Sequence, residues 1–303
     1  MTFNFLTRVL TLGIFALTTL LVSCGSSTIN DPFKPTRIIV FGDSFSDLTA
    51  SNQYTVNDSA TNNWASQVAA SYGVSTIVKL AAGNALVSDV QTQVNTFGAA
   101  YQAGDLVLVS AGYRDIINDA AAGTNTASTK GTAYATLIRS MVTNGAKHIA
   151  AANVYDLSKS PATTLAVAPT AANLAAQGGG SRGTLMAAFN DALKSNLGSA
   201  TLTNVGDKVR LVDLEAYFNL VKASPTTYSY VDATTVVCNS NDATASPGGI
   251  GIGTNKVNSK LCTTGTLAQA AYDSYVFADA VYPTPAFHRA WGSNVYSQLI
   301  ARW

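Results

Sequence analysis

The chain has 303 residues with 18 Lys and Arg against 17 Asp and Glu, a formal net charge of +1. That balance offers no basic excess to draw nucleic acid and no acidic tail. Charged residues make up only 12% of the chain, so Ala, Ser, Thr, Asn and Gly must fill much of the surface, which suits an exported protein without naming a function.

The first 23 residues read as a targeting segment. Arg8 is the only charged side chain before Asp31, and an apolar run follows from Val9 to Val22. A basic start with a short apolar stretch is the pattern of a secretory signal. The alternative is an uncleaved transmembrane anchor, for which the run is short. It ends in Leu21-Val22-Ser23-Cys24, which resembles the lipobox of bacterial lipoproteins. The resemblance implies cleavage before Cys24 and lipidation of that residue. With Gly25 rather than Asp next, it implies anchoring in the outer membrane of a Gram-negative bacterium. Without residues 1–23, 17 basic residues face 17 acidic ones. Residues 24–36 then form a polar, Pro-containing tether, and 37–303 one α/β domain of a size that supports a full core.

Within that domain, apolar runs of strand length alternate with longer helical patterns. Strands are expected at 37–41, 75–80, 106–111, 148–154 and 209–212, and helices at 64–72, 88–101, 132–142, 184–197 and 285–302. Continuous apolar strands alternating with helices argue for a parallel sheet covered on both faces. The segment 233–266, rich in Gly, Asn, Ser and Thr, reads as a long loop or insertion. Cys238 and Cys262 bracket its core, and in an oxidising compartment they are expected to pair; two free thiols are the alternative. Two Cys and the widely separated His148 and His288 do not make a metal site, and no cofactor is expected.

Ligands of such sheets collect at the carboxyl ends of the strands, so the residues there matter most. After the first strand comes Gly42-Asp43-Ser44-Phe45-Ser46-Asp47, after the second Ala81-Ala82-Gly83-Asn84-Ala85, and after the third Gly112-Tyr113-Arg114-Asp115. The first of these is similar to the opening block of the SGNH (GDSL-type) hydrolases, and Tyr275 to Thr284 resembles their closing block. Asn63-Trp64, Gly83, Asn144 to Lys147, Phe189-Asn190 and Val212-Asp213-Leu214 have counterparts between, in the family's order. The resemblance covers 37–302 and implies a flavodoxin-like three-layer sandwich around about five parallel strands. It further implies Ser44 as nucleophile of an esterase or lipase, and Ser44 and Gly83 as donors to the oxyanion hole. Asp43 and Asp47 would organise the serine turn. Asp115 is expected to cap the helix after the third strand.

Two positions depart from the family's pattern. Arg114 stands where the family has the Asn that completes the oxyanion hole. Tyr282 follows Asp279 where the catalytic His belongs. Arg114 can donate to an oxyanion, or can point out to solvent. A phenol is a poor base at neutral pH unless Arg114 lowers its pKa, which would give a Ser44–Tyr282–Arg114 arrangement beside Asp279. His288 is the nearest substitute base, with a structural role as the alternative; His148 opens a strand and reads as structural. Two functions follow. One is a hydrolase of small-molecule or lipid esters through acyl-Ser44; the other is a surface-anchored, non-catalytic protein that binds a ligand in the same cleft.

Overall fold

The structure is a computed structural model that describes residues 32–58, 62–176, 184–198, 205–244 and 252–303. Cys24 and the targeting segment lie outside them. Residues Lys34–Trp303 form one unit.

Five strands make the central sheet: β1 (Arg37–Gly42), β2 (Ile77–Lys79), β3 (Asp105–Ser110), β4 (Ile149–Ala152) and β5 (Val209–Val212). All pair in parallel, in the order β2-β1-β3-β4-β5, the flavodoxin-like order. The side chains of Ile38 to Phe41, Leu106 to Val109 and Ile149 to Ala152 are fully buried, as a strand covered on both faces requires. Register at the start is fixed by charge: Arg37 pairs across with Asp105, whose carboxylate accepts from Nε and Nη2 at 2.8 and 2.7 Å.

Helices α1 (Trp64–Tyr72), α2 (Val87–Phe97), α3 (Tyr113–Ala122), α4 (Ala127–Thr143), α5 (Leu185–Leu197), α6 (Leu214–Ala223) and α7 (Pro285–Ile300) complete the layers. α4 packs against α2 and α5, while α7 packs against α1 and, through Phe287 and Trp291, against Tyr217 of α6. α1 has the expected bounds because Asn63 accepts from Ala65 N–H at its start and Gly73 turns left-handed at its end. α4 begins five residues earlier than expected. Its first turns are Ser- and Thr-rich, yet Ala127, Gly131, Tyr134, Ala135 and Ile138 lie on one buried face, and packing outweighs propensity. α6 was not expected as a helix, although Asp213 caps it by accepting from Ala216 N–H at 3.0 Å.

Two further expectations are corrected. Asp115 does not cap its own helix, whose N-cap is Gly112; it accepts instead from Val87 N–H, at the start of α2, at 2.9 Å. The segment 233–266 is not all loop. Asp232–Val236 pairs in parallel with Tyr275–Phe277, and Asn241–Asp242 pairs antiparallel with Lys256–Val257. The Cys238–Cys262 disulfide is present, with Cα atoms 5.8 Å apart. Among the described residues no helix is long and apolar enough to cross a membrane.

Candidate active site

The sheet order reverses between β1 and β3, and the crevice at their carboxyl ends is where such a sheet offers a site. β1 ends on Gly42 at φ +146°, where a Cβ would lie 2.6 Å from the Ser110 carbonyl oxygen; only glycine lets the two strand ends come so close. Asp43 follows, fully buried. Its Oδ1 accepts from Phe45 N–H at 3.1 Å and from Ser110 Oγ at 3.1 Å, and its Oδ2 from Tyr113 N–H at 3.3 Å. Ser46 Oγ lies 2.7 Å from Ser110 Oγ and accepts from Trp64 Nε1 at 2.9 Å. Asp47 closes the turn by accepting from Thr49 N–H and Oγ1 at 2.9 and 2.7 Å. Burial lifts the Asp43 carboxyl to about 6 against these donors.

This network holds Ser44 at the carboxyl end of β1, inside the crevice. The Ser44 hydroxyl accepts from Asn84 N–H at 2.8 Å, and the second turn is brought there by Ala82 N–H donating to Gly42 O at 3.0 Å. The amide that reaches the serine oxygen is thus that of Asn84, in a left-handed conformation at φ +65°, one residue beyond Gly83. Ser44 is only 1% exposed. The Tyr54 and Tyr282 phenols both interact with it, and their rings lie 5.2 Å apart, centroid to centroid. Tyr54 carries no motif, and its isolated place between two blocks gave no sign of this role. Along the outer side of the 82–85 turn runs an open groove of about 530 Å³, lined by Leu80, Gly83, Asn84, Gln93 and Thr96 among others, but not by Ser44.

Asp279 and Tyr282 come to the same place, but not as a relay. Asp279 Oδ1 accepts from the Val281 and Tyr282 N–H groups at 2.8 and 2.6 Å, and Oδ2 from Ser259 N–H at 2.8 Å. Its carboxylate therefore holds a backbone turn and the disulfide loop, and makes no bond to the phenol. The Tyr282 hydroxyl is buried against Ser44, but among the described residues it makes no hydrogen bond of good geometry. Burial, and next the Asp43 charge, push its pKa well above 10. The Arg114 charge is coupled to Tyr282 but does not offset that burial. The guanidinium is half-buried beside Tyr282 and Tyr54, with Nη1 unpartnered among the described residues, and burial draws its own pKa below the ordinary value.

Neither histidine joins the serine by a hydrogen bond. His288 is buried on α7, its ring 4.9 Å from that of Phe45 and its Nδ1 without a partner. Burial and then Arg289 lower its pKa to about 3. His148 precedes β4, at the opposite end of a parallel sheet, with its ring 5.0 Å from Trp303.

A buried strand–turn serine, a second turn donating to its oxygen and a closing block on the same crevice agree with the sequence profile of the GDSL-like lipase/acylhydrolases, which matches residues 38–295. The chain belongs to that family. At the family level it is a hydrolase. No curated protein matches it. Among solved structures, a lipolytic G-D-S-L family member from Veillonella parvula is 12% identical, covering 88% of this chain and 99% of that one, with a TM-score of 0.49. An acetyl xylan esterase, AlAXEase, is 11% identical over 86% and 98%, with a TM-score of 0.48. Phospholipase A1 from Streptomyces albidoflavus is 14% identical over 87% and 99%, with a TM-score of 0.42. Among the described residues no cluster of His, Cys, Asp and Glu has the makings of a metal site. The chemistry that this GDSL-family site offers is a serine oxygen held by a backbone amide, with two phenols against it and no imidazole bonded to it.

Proposed function

We propose that this chain is a slow hydrolase of carboxylic esters, with Ser44 as nucleophile and its hydroxyl proton passing to hydroxide from solvent rather than to a side-chain base. The 2.8 Å bond from Asn84 N–H to Ser44 Oγ at the β1–β3 crevice carries the reading. It keeps the hydroxyl beside the backbone N–H of the 83–84 turn. Donors fixed in advance stabilise the oxyanion of acyl transfer, and that stabilisation is available to a serine whether or not a side-chain base assists it. Tyr282 occupies the place of the base, but a phenol whose pKa is raised by burial is a weak proton acceptor.

The test is fluorophosphonate labelling and short-chain aryl-ester hydrolysis, each in wild type and Ser44→Ala. Slow hydrolysis and labelling, both lost in Ser44→Ala, are expected. The rate should climb with pH across neutrality without the bend near 6.5 that an imidazole base imposes. An unlabelled Ser44, with hydrolysis no faster than in Ser44→Ala, would remove the enzyme. The second reading, a non-catalytic binding protein, would then stand; the burial of Ser44, 1% exposed, is the observation in its favour.

A further inference from the structure

Against Ser44 lies a side chain that no motif identifies. Tyr54 is 2% exposed, and its hydroxyl lies 2.4 Å from where a Cβ on Gly83 would sit. Any side chain at position 83 would collide with it, so the glycine gives the ring room to lie over the turn that donates to Ser44. The other face of Tyr54 meets the Tyr282 ring at 5.2 Å, and Lys260 Nζ lies 5.9 Å from its centroid.

The segment that carries Tyr54 is clamped. Thr55 Oγ1 donates to Pro283 O at 2.9 Å, in the turn that presents Tyr282. Asn57 N–H donates to Cys262 O at 2.8 Å, and Asn57 Nδ2 reaches Cys262 O at 3.1 Å. Asn57 Oδ1 accepts from Gln53 N–H at 2.9 Å, closing a small ring around Tyr54. Ser259 of the same disulfide-bonded loop donates to Asp279. The Cys238–Cys262 loop thus holds both aromatic side chains that cover the serine.

We infer that Tyr54 is the specificity-determining residue of this site: its ring fills the space over Gly83 and Ser44 that the acyl group of an ester would occupy. The acyl-selection part rests on Ser44 being a nucleophile, whereas the closure does not. A ring held in that place admits at most the smallest acyl groups, and its removal opens the crevice to longer ones. The ring, rather than the hydroxyl, is the obstacle.

The experiment compares the disulfide-bonded chain with Tyr54→Ala and Tyr54→Phe. Hydrogen exchange of the 83–85 amides reports closure whether or not Ser44 reacts, and the β3 amides of Val107 to Val109 report global stability. In Tyr54→Ala the 83–85 amides should exchange about tenfold faster with the β3 amides unchanged, as for a local opening. Tyr54→Phe should keep slow exchange at 83–85. The ratio of octanoyl to acetyl aryl-ester hydrolysis should rise about tenfold in Tyr54→Ala, the scale that pocket contacts command. Unchanged exchange in Tyr54→Ala, or equal acceleration in Tyr54→Phe, overturns the closure. Faster exchange with no fluorophosphonate labelling in any variant keeps the closure and removes the nucleophile. Labelling with an unchanged acyl ratio overturns the acyl selection. Should Tyr54→Ala fail to fold, Asn57→Ala loosens the clamp with the ring in place, and faster 83–85 exchange there supports the same closure while unchanged exchange rejects it.

Discussion

At the scale of single residues, the same burial acts in opposite directions on two groups near the serine. His288 is held neutral, its pKa lowered from 6.5 to about 3. Its contribution to stability is complete above pH 6.5 and is lost as pH falls toward 3, because the unfolded chain takes up the proton first. Asp43 is raised from 3.8 to about 6, so its contribution is complete below pH 3.8 and is lost as pH rises through 6. Replacing His288 by Phe, which suits its place against Phe45, should move the acid-unfolding midpoint about one pH unit lower. Circular dichroism along a pH titration checks this; an unmoved midpoint would mean that His288 is not the group whose protonation unfolds the protein. The sequence makes Ser44, Gly83, Arg114, Asp279 and Tyr282 candidates because they stand in or beside motif blocks. It gives no means of seeing Tyr54, whose role comes from a loop folding back over the site. Nor does it show that Asp279 spends its carboxylate on the Ser259, Val281 and Tyr282 N–H groups.

At the scale of elements, the strands were legible because unbroken apolar runs have little other use in an α/β chain, and four of the five differ from expectation only at their ends. The 233–266 segment was not legible. Its short pairings, Asp232–Val236 with Tyr275–Phe277 and Asn241–Asp242 with Lys256–Val257, depend on partners distant in sequence and leave no periodicity. Its two cysteines were the readable feature. The disulfide spans 24 residues and sits with Val56, Val237 and Ala278 in a small buried cluster. Removing it as Cys238→Ser with Cys262→Ser should cost about 3 kcal/mol from loop-closure entropy. Urea unfolding measures this, and a loss below about 1 kcal/mol would mean that hydrogen bonds alone hold the loop.

Across the whole molecule, the β2-β1-β3-β4-β5 order decides what the chain brings together. The turns after β1, β2 and β3 share one edge, and the closing block returns Asp279 and Tyr282 to it. The order of the blocks along the sequence made this assembly legible, since each block follows a strand of one parallel sheet. What the assembly lacks is equally a property of the whole: α7 carries the remaining His of the closing region, yet buries it behind Phe45 instead of presenting it to Ser44. The serine site that we propose lacks a proton acceptor. The pH–rate profile of Ser44-dependent ester hydrolysis, in wild type beside Tyr282→His, tests this most directly. A gain of about 100-fold at neutral pH is expected in the variant, with a bend near 6.5 that the wild type does not show. A folded Tyr282→His protein that had lost the wild-type activity would contradict the proposal, because Tyr282 would then be a working catalytic residue.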